Sequence, residues 1–332
     1  MSKNKRPTLQ HVADQVGVTK MTVSRYLRNP NQVSPALQAK IAAAVEQLGY
    51  IPNRAPDILS NSKSHAIGVL LPSLTNQVFA EVLQGIESVT EAAGYQTMLA
   101  HYGYSQEAEE ARIATLLSYN VDGLILAESQ HTDRVLKMIK TAGVPVVEIM
   151  DSVSEPIEQA VGFDNAAASR QMTEHMIARG RRHIVYFAAR MDVRTQQRMQ
   201  GYTQAMEARG LEPRCLQTTQ SSSFTLGAEF LDQALSQYPE TDGIFCTNDD
   251  LAIGALFECQ KRGIAVPAQM AIAGFHGHDI ARAMHPRLAT VITPRFDMGK
   301  QAAQALVARL NGQAPKTQKT TLEVEFDFGE SL

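Results

Sequence analysis

The densest run of side chains that could do chemistry is the stretch His276, Gly277, His278 and Asp279, where two imidazoles and a carboxylate fall within four positions. In an extended segment residues two apart point the same way, but a third protein ligand would still have to come from elsewhere, so no metal site is expected. Cys215, Cys246 and Cys259 are odd in number and lack the paired short spacing of a zinc or redox site; they are expected to be reduced thiols. Arg181, Arg182 and His183 form a basic run that reads as a solvated helix end. There is no Gly-rich phosphate loop, no GxSxG elbow and no paired metal-ligand motif, so no catalytic residue is assigned and no enzyme is expected. What remains is binding chemistry. In a helix spanning Lys20 to about Arg28, Val23 and Leu27 share one face while Lys20, Met21, Thr22 and Arg25 point elsewhere, which leaves a polar edge able to read a partner.

Charge says what that partner is. The chain of 332 residues carries a net charge of -3, but residues 1–60 hold eight Lys or Arg against three acids, a local +5 that leaves the rest at -8. A basic head on an acidic body is the distribution expected when only the head meets a polyanion. The length exceeds one hydrophobic core, so two or three domains are expected. The opening MSKNKRPTLQ has no apolar run behind its charges, and no stretch approaches the length of about 18 apolar residues that a spanning helix needs. A cytoplasmic protein without a membrane partner is the expectation.

The elements that must position the polar edge are legible. Thr8 can cap a helix from Leu9 to about Val16, with Leu9, Val12, Ala13 and Val16 at helical spacing. Gly17 permits a tight turn and Thr19 caps the second helix. A third helix starts after Ser34, with Pro35 in its first turn, a stripe of Leu37, Ile41, Val45 and Leu48, and Gly49 at its end. Helix, turn, helix and supporting helix within about 50 residues is the layout that sets the start of a second helix against base edges in the major groove.

From residue 66 onward apolar strands alternate with amphipathic helices. Strands are expected at Ala66 to Leu71, Tyr95 to His101, Gly123 to Ala127, Val144 to Met150, Ala160 to Phe163, His183 to Ala188, Gly243 to Cys246, Met270 to Phe275 and Leu288 to Ile292. Helices are expected at Val78 to Ala92, Ala167 to Arg179, Gln196 to Arg209 and Leu251 to Arg262, and LEVEFDFGESL reads as a last strand. This pattern implies an α/β body with two doubly wound parallel lobes and a ligand pocket in the cleft between them. Ser73 and Asp151, at strand ends, are weaker candidates for that pocket.

The segment TLQHVADQVGVTKMTVSRYL resembles the headpiece of the LacI/GalR repressor family almost position for position, and IGVLLPSLTNQVFAEVLQGIE, RQMTEHMIARGRRHIVYFAA, GIFCTNDDLAIGA and MAIAGFHGHD resemble its periplasmic-binding-protein-like core. Several segments look most like the family's gluconate-utilisation repressors. The resemblance implies a headpiece over residues 1–51, a hinge helix and linker over 52–64 and an effector-binding and dimerisation domain over 65–332. It implies that Lys20 and Met21 read bases, lysine by donating to guanine and methionine by packing on a thymine methyl, and that Thr8, Thr22, Ser24 and Arg25 contact bases or phosphates. In YIPNRAPDILS the resemblance implies a hinge helix capped by Asn53 and followed by Arg54, with Leu59 as the wedge that enters the minor groove. About two turns is too short to be stable alone, so hinge folding is expected to depend on DNA and on a partner hinge.

For the cleft, the resemblance implies effector contacts from Arg198, Asn248, Asn76 and Phe79. Two departures from the family pattern bear on the ligand. Where sugar- and purine-responsive relatives carry an aspartate this chain has His276, which removes a fixed anion and is expected to add a donor able to become cationic near neutral pH. Where relatives place an aromatic platform this chain has Ser222, although Phe224 is near enough to substitute. Both changes favour an open-chain sugar acid such as gluconate as effector, without any other cofactor. A homodimer on a pseudo-palindromic operator is expected, because one headpiece covers one half-site. A periplasmic solute-binding protein would share the body's fold, but it has neither this headpiece nor an unsignalled N-terminus. Another sugar, a sugar phosphate or ketogluconate as effector, and a corepressor logic, remain as alternatives at this stage.

Overall fold

The computed structural model describes residues 6–53 and 63–332. They divide into two compact units, one ending at Ser64 and the other running from His65 to Leu332. Arg54 and Leu59, together with the rest of the expected hinge helix, lie outside the described residues.

The first unit is built on three helices, α1 (Leu9–Val16), α2 (Lys20–Arg28) and α3 (Pro35–Leu48). Gly17 and Gly49 end α1 and α3 at φ of 75° and 59°, a left-handed region where a side chain would be strained. Thr19 caps α2 by accepting from the Thr22 N–H, and a short 3-10 turn over Pro30–Gln32 leads into α3. Val12, Ala13, Val23, Ile41 and Tyr50 close the small core, so each helix gives one stripe to it and leaves its other face to solvent.

The second unit holds two six-stranded sheets. In the first lobe the strands are β1 (Ala66–Leu71), β2 (Gln96–His101), β3 (Gly123–Leu126), β4 (Val146–Ile149), β5 (Gln159–Gly162) and β11 (Lys319–Thr321), in the order β11-β5-β4-β3-β1-β2. In the second they are β6 (Ile184–Ala189), β7 (Arg214–Thr218), β8 (Gly243–Cys246), β9 (Ala271–His276), β10 (Ala289–Ile292) and β12 (Glu325–Asp327), in the order β12-β10-β9-β8-β6-β7. All pairings are parallel except β12 on β10. The central strands are buried throughout and read as continuous apolar runs, which is why they were legible. Edge strands β7 and β11 carry Arg214, Gln217, Lys319 and the threonines, so no apolar run announced them.

Nine helices of this unit cover the sheets: α4 (Val78–Thr90), α5 (Gln106–Ser118), α6 (Asp133–Ala142), α7 (Asn165–Ala178), α8 (Val193–Glu207), α9 (Phe224–Gln237), α10 (Asp249–Arg262), α11 (Asp279–Ala283) and α12 (Arg295–Leu310). Helix pairs cross at glycines. A Cβ on Gly201 of α8 would run into the carbonyl of Ala166 on α7, and one on Gly254 of α10 into the carbonyl of Phe224 on α9. Following the strand order, the chain passes between the lobes at 163–164, 293–294 and 322–324. The expected final strand is therefore only its middle part, and the residues just before it are a lobe crossing. No helix among the described residues is long and apolar enough to cross a membrane.

Candidate functional site

In the first unit the edge of α2 is exposed where the sequence places it. Lys20 and Arg25 are exposed, Met21 keeps 68% of its surface, and Thr22 and Ser24 are half-buried. An exposed methionine beside two cations, on a helix whose Val23 is fully buried, is an apolar contact awaiting a partner. The Thr22 hydroxyl lies 3.0 Å from that of Thr19, so it braces the cap of α2. Thr8 precedes α1, and its backbone N–H donates to Nδ1 of His11 at 3.0 Å. Asn53 is exposed at the end of the described part of this unit.

In the second unit a pocket lies between the lobes where strand ends meet helix starts. The lobe containing β1 contributes Asn76, Phe79, Tyr104 and Met150; the other contributes Ala189, Arg190, Asp192, Arg194, Thr195, Arg198, Thr247, Asn248 and His276. Five expected residues, Asn76, Phe79, Arg198, Asn248 and His276, thus come together. Ser73 and Asp151 do not line it. The Ser73 hydroxyl accepts from the N–H groups of Thr75 and Asn76, each at 3.2 Å, and shapes the loop. Asp151 is buried and accepts from Ser129, the Val153 N–H, Ser154 and, across the lobes, Gln197 at 3.0 Å. Burial opposes its ionisation, but these donors outweigh it and hold the carboxyl below its ordinary range.

Arg198 sits one turn into α8 and is buried. Its Nε donates to Oδ1 of Asn165 at 2.8 Å, its Nη1 to the Thr247 carbonyl at 2.7 Å, and its guanidinium lies 4.0 Å from the centre of the Phe275 ring. Burial lowers its affinity for its proton to about 10, which still leaves it charged near neutral pH. Arg194, one turn earlier, donates to the Ala127 carbonyl of the other lobe at 2.8 Å and pairs with Asp192 at 2.9 Å. Asp192 is itself the cap of α8, and Arg194 together with the Thr195 N–H overcomes burial to hold its carboxyl at about 2. Asn248 caps α10 through Oδ1 and donates from Nδ2 to Ser222 at 2.5 Å, so its amide is both a turn brace and a cleft wall.

His276 corrects one expectation. The imidazole is buried at the cleft wall; burial first, then the neighbouring Arg198, His278, Arg295 and Arg194, push it well below the ordinary histidine range. It is a neutral acceptor from Arg198 at 3.0 Å and cannot supply a cationic donor near neutral pH. Its backbone, at φ of 104°, is left-handed for a residue with a side chain, and the guanidinium of Arg295 holds its carbonyl while also pairing with Glu81 of the first lobe at 2.7 Å. His278 stacks beside His276, rings 6.1 Å apart, and Asp279 is exposed, so the three side chains do not converge on a point. Phe224 corrects another: it is 45% exposed at the start of α9 and does not line the cleft. The rings that do are Phe79 and Tyr104.

Sequence reasoning missed Tyr104, Arg190, Asp192, Arg194, Thr195 and Thr247. Arg194 was findable, because it stands four residues before Arg198 and shares its helix face. Arg190 and Tyr104 were not, since they are 86 residues apart and no local pattern links them.

The comparisons with known proteins agree with this geometry. Residues 8–53 match the family model of bacterial regulatory proteins of the lacI family, and residues 64–327 match that of periplasmic binding proteins and the sugar binding domain of the LacI family. The chain is 64% identical, over 99% of its own length and 100% of the relative's, to the HTH-type transcriptional regulator GntR of Escherichia coli (strain K12). Among solved structures it is similar to a LacI family transcriptional regulator from Silicibacter pomeroyi, with a TM-score of 0.92 and 33% identity over 98% of this chain and 99% of that one. It is also similar to the transcription regulator GntR from Chromobacterium violaceum, with a TM-score of 0.78 and 37% identity over 80% of this chain and 98% of that one. The exposed reading edge, the two-lobed body and full-length similarity lead to one conclusion: this chain belongs to the LacI family of DNA-binding transcriptional regulators.

Proposed function

We propose that the chain is a cytoplasmic, homodimeric repressor of sugar-acid catabolism genes, held on a pseudo-palindromic operator by paired headpieces and released when a sugar acid, gluconate first, occupies the interlobe cleft. The observation that carries the effector is the charge of the pocket. Arg190, Arg194 and Arg198 line it against the single acid Asp192, and His276 stands neutral where an aspartate would cancel Arg198. A guanidinium offers a planar fork of donors suited to a carboxylate, and Asn76, Asn248, Thr195 and Thr247 supply donors and acceptors for hydroxyls. Met21 and Lys20 on the exposed edge of α2 support base reading.

The switch follows from which groups cross the lobes. Arg194 to Ala127, Gln197 to Asp151 and Arg295, which starts a first-lobe helix, to the His276 carbonyl all bridge the two halves. An acid bound among them favours one arrangement of the lobes, and it shifts DNA affinity only by its preference for the arrangement that misplaces the headpieces.

The test is an operator selected from a random duplex pool by the purified full-length protein, followed by titration of gluconate into the complex by fluorescence anisotropy. Release at submillimolar to millimolar gluconate is expected. Unchanged binding over that range removes the effector assignment, and failure to select any palindrome removes the operator reading as well.

A further inference from the structure

Arg190 is a cation in search of a partner. It follows β6 directly and stands at φ of 68°, next to Met191 at 53°, two consecutive left-handed residues with side chains. Such backbone is strained and persists where the surroundings enforce it; here the Arg190 N–H is tied to the Gln220 carbonyl at 3.0 Å. The strain aims the guanidinium into the cleft, 5.0 Å from the centre of the Tyr104 ring, itself presented from the opposite lobe by a left-handed residue at φ of 62°. Its side-chain hydrogen bond is a long one, 3.4 Å to Ser222, and its Nε is buried without a partner. Asp250 feels its charge but forms no ion pair with it among the described residues. Arg194, by contrast, is spent on Asp192, and Arg198 is placed by neutral groups. Among the described residues the cleft therefore holds two guanidinium groups without a paired carboxylate, one on α8 and one just after β6. Arg190 as a whole is only partly buried, but its Nε is shut off from water, and a donor so placed is costly until an acceptor arrives.

We propose that Arg190, stacked on Tyr104, is a second anion subsite, so that the preferred effector is a polyhydroxy acid with a second anionic group at its far end. This rests on the sugar-acid reading above and sharpens it. A carboxylate takes Arg198, as in that reading, and the second anion, a phosphate ester or another carboxylate, takes Nε and the free edge of the Arg190 fork. The ring of Tyr104 supplies a flat face that keeps the guanidinium in place while excluding water from one side.

The experiment is calorimetry on the full-length protein with gluconate, the six-carbon dicarboxylate glucarate and 6-phosphogluconate, in R190Q, R190K and the parent. In the parent at least one dianion is expected to bind about tenfold or more tightly than gluconate, as one added charge-assisted contact would give. In R190Q that ratio is expected to fall to about 1, and in R190K to an intermediate value; the arm that responds tells phosphate from carboxylate. Operator binding without ligand confirms that each variant is folded. Gluconate binding as tightly as both dianions in the parent overturns the subsite, as does an unchanged ratio in R190Q. Absence of binding by all three acids overturns the sugar-acid reading itself, and the subsite with it.

Discussion

Nη1 of Arg198 lies 3.0 Å from Nε2 of His276, and because a guanidinium only donates, the imidazole accepts there and keeps its proton on Nδ1, 3.3 Å from the Thr293 hydroxyl. The histidine at this position therefore does not bring charge to the cleft. It preserves the charge of Arg198 by accepting a bond without neutralising it.

His276→Asp should pair with Arg198 and cancel the field an acidic ligand needs. Calorimetry is expected to show at least about tenfold weaker gluconate binding for that variant, in line with the loss of one charge-assisted contact. Affinity equal to the parent would mean that Arg198 does not hold the carboxylate.

Because His276 is held well below its ordinary range, it changes charge only at pH values below that range. Gluconate affinity is therefore expected to be flat between pH 6.5 and 8, within about twofold. A rise toward pH 6.5 with a midpoint near an ordinary histidine would show the imidazole gaining a proton on binding.

In the first lobe His131 bridges two buried carboxylates, Glu109 at 2.8 Å and Glu148 at 3.0 Å. Burial alone would lower its pKa, but the bonds to Glu109 and Glu148 prevail and raise it to about 9. Below pH 6.5 the histidine is charged folded or unfolded and the stabilisation is fully present; it is lost as pH rises through about 9. His131→Gln should lower Tm at pH 6 by roughly 5–10 °C, since it leaves buried carboxylates unpaired, and should flatten the decline of Tm between pH 7 and 9. Scanning calorimetry across that range checks both, and a parallel decline in parent and variant would contradict the assignment.

Gly254→Ala gains about 1 kcal/mol of helix propensity, but its Cβ would meet the Phe224 carbonyl, and forced separation of packed elements costs about 1–3 kcal/mol or more. The collision should win, lowering Tm by a few degrees. A raised Tm would show that α9 and α10 part easily.

Met21→Ala should weaken binding to the selected operator by about tenfold while leaving salt-dependent binding to random duplex unchanged, because a methyl contact discriminates bases and a phosphate contact does not. Anisotropy on the two duplexes separates the cases. Equal losses on both would make Met21 a general contact.

The sequence by itself determined the three helices of the headpiece, the Thr19 cap, the glycine ends of α1 and α3 and the exposed edge of α2, because helical periodicity, a capping hydroxyl and left-handed glycines act over a few residues. It determined the alternation of buried strands and helices for the same reason, and it placed Arg198 and Asn248 at helix starts facing the cleft. Tertiary structure alone decided the rest. The charge of His276 depends on burial and on Arg194, Arg198 and Arg295, groups that only the folded chain brings around it. The pairing of Arg190 with Tyr104, the diversion of Asp151 into an interlobe brace and the exclusion of Phe224 from the pocket all join residues far apart in the chain. Edge strands β7 and β11 formed by pairing with a neighbour rather than by burying two apolar faces, and a hydrogen-bonding edge leaves no periodic mark in a sequence.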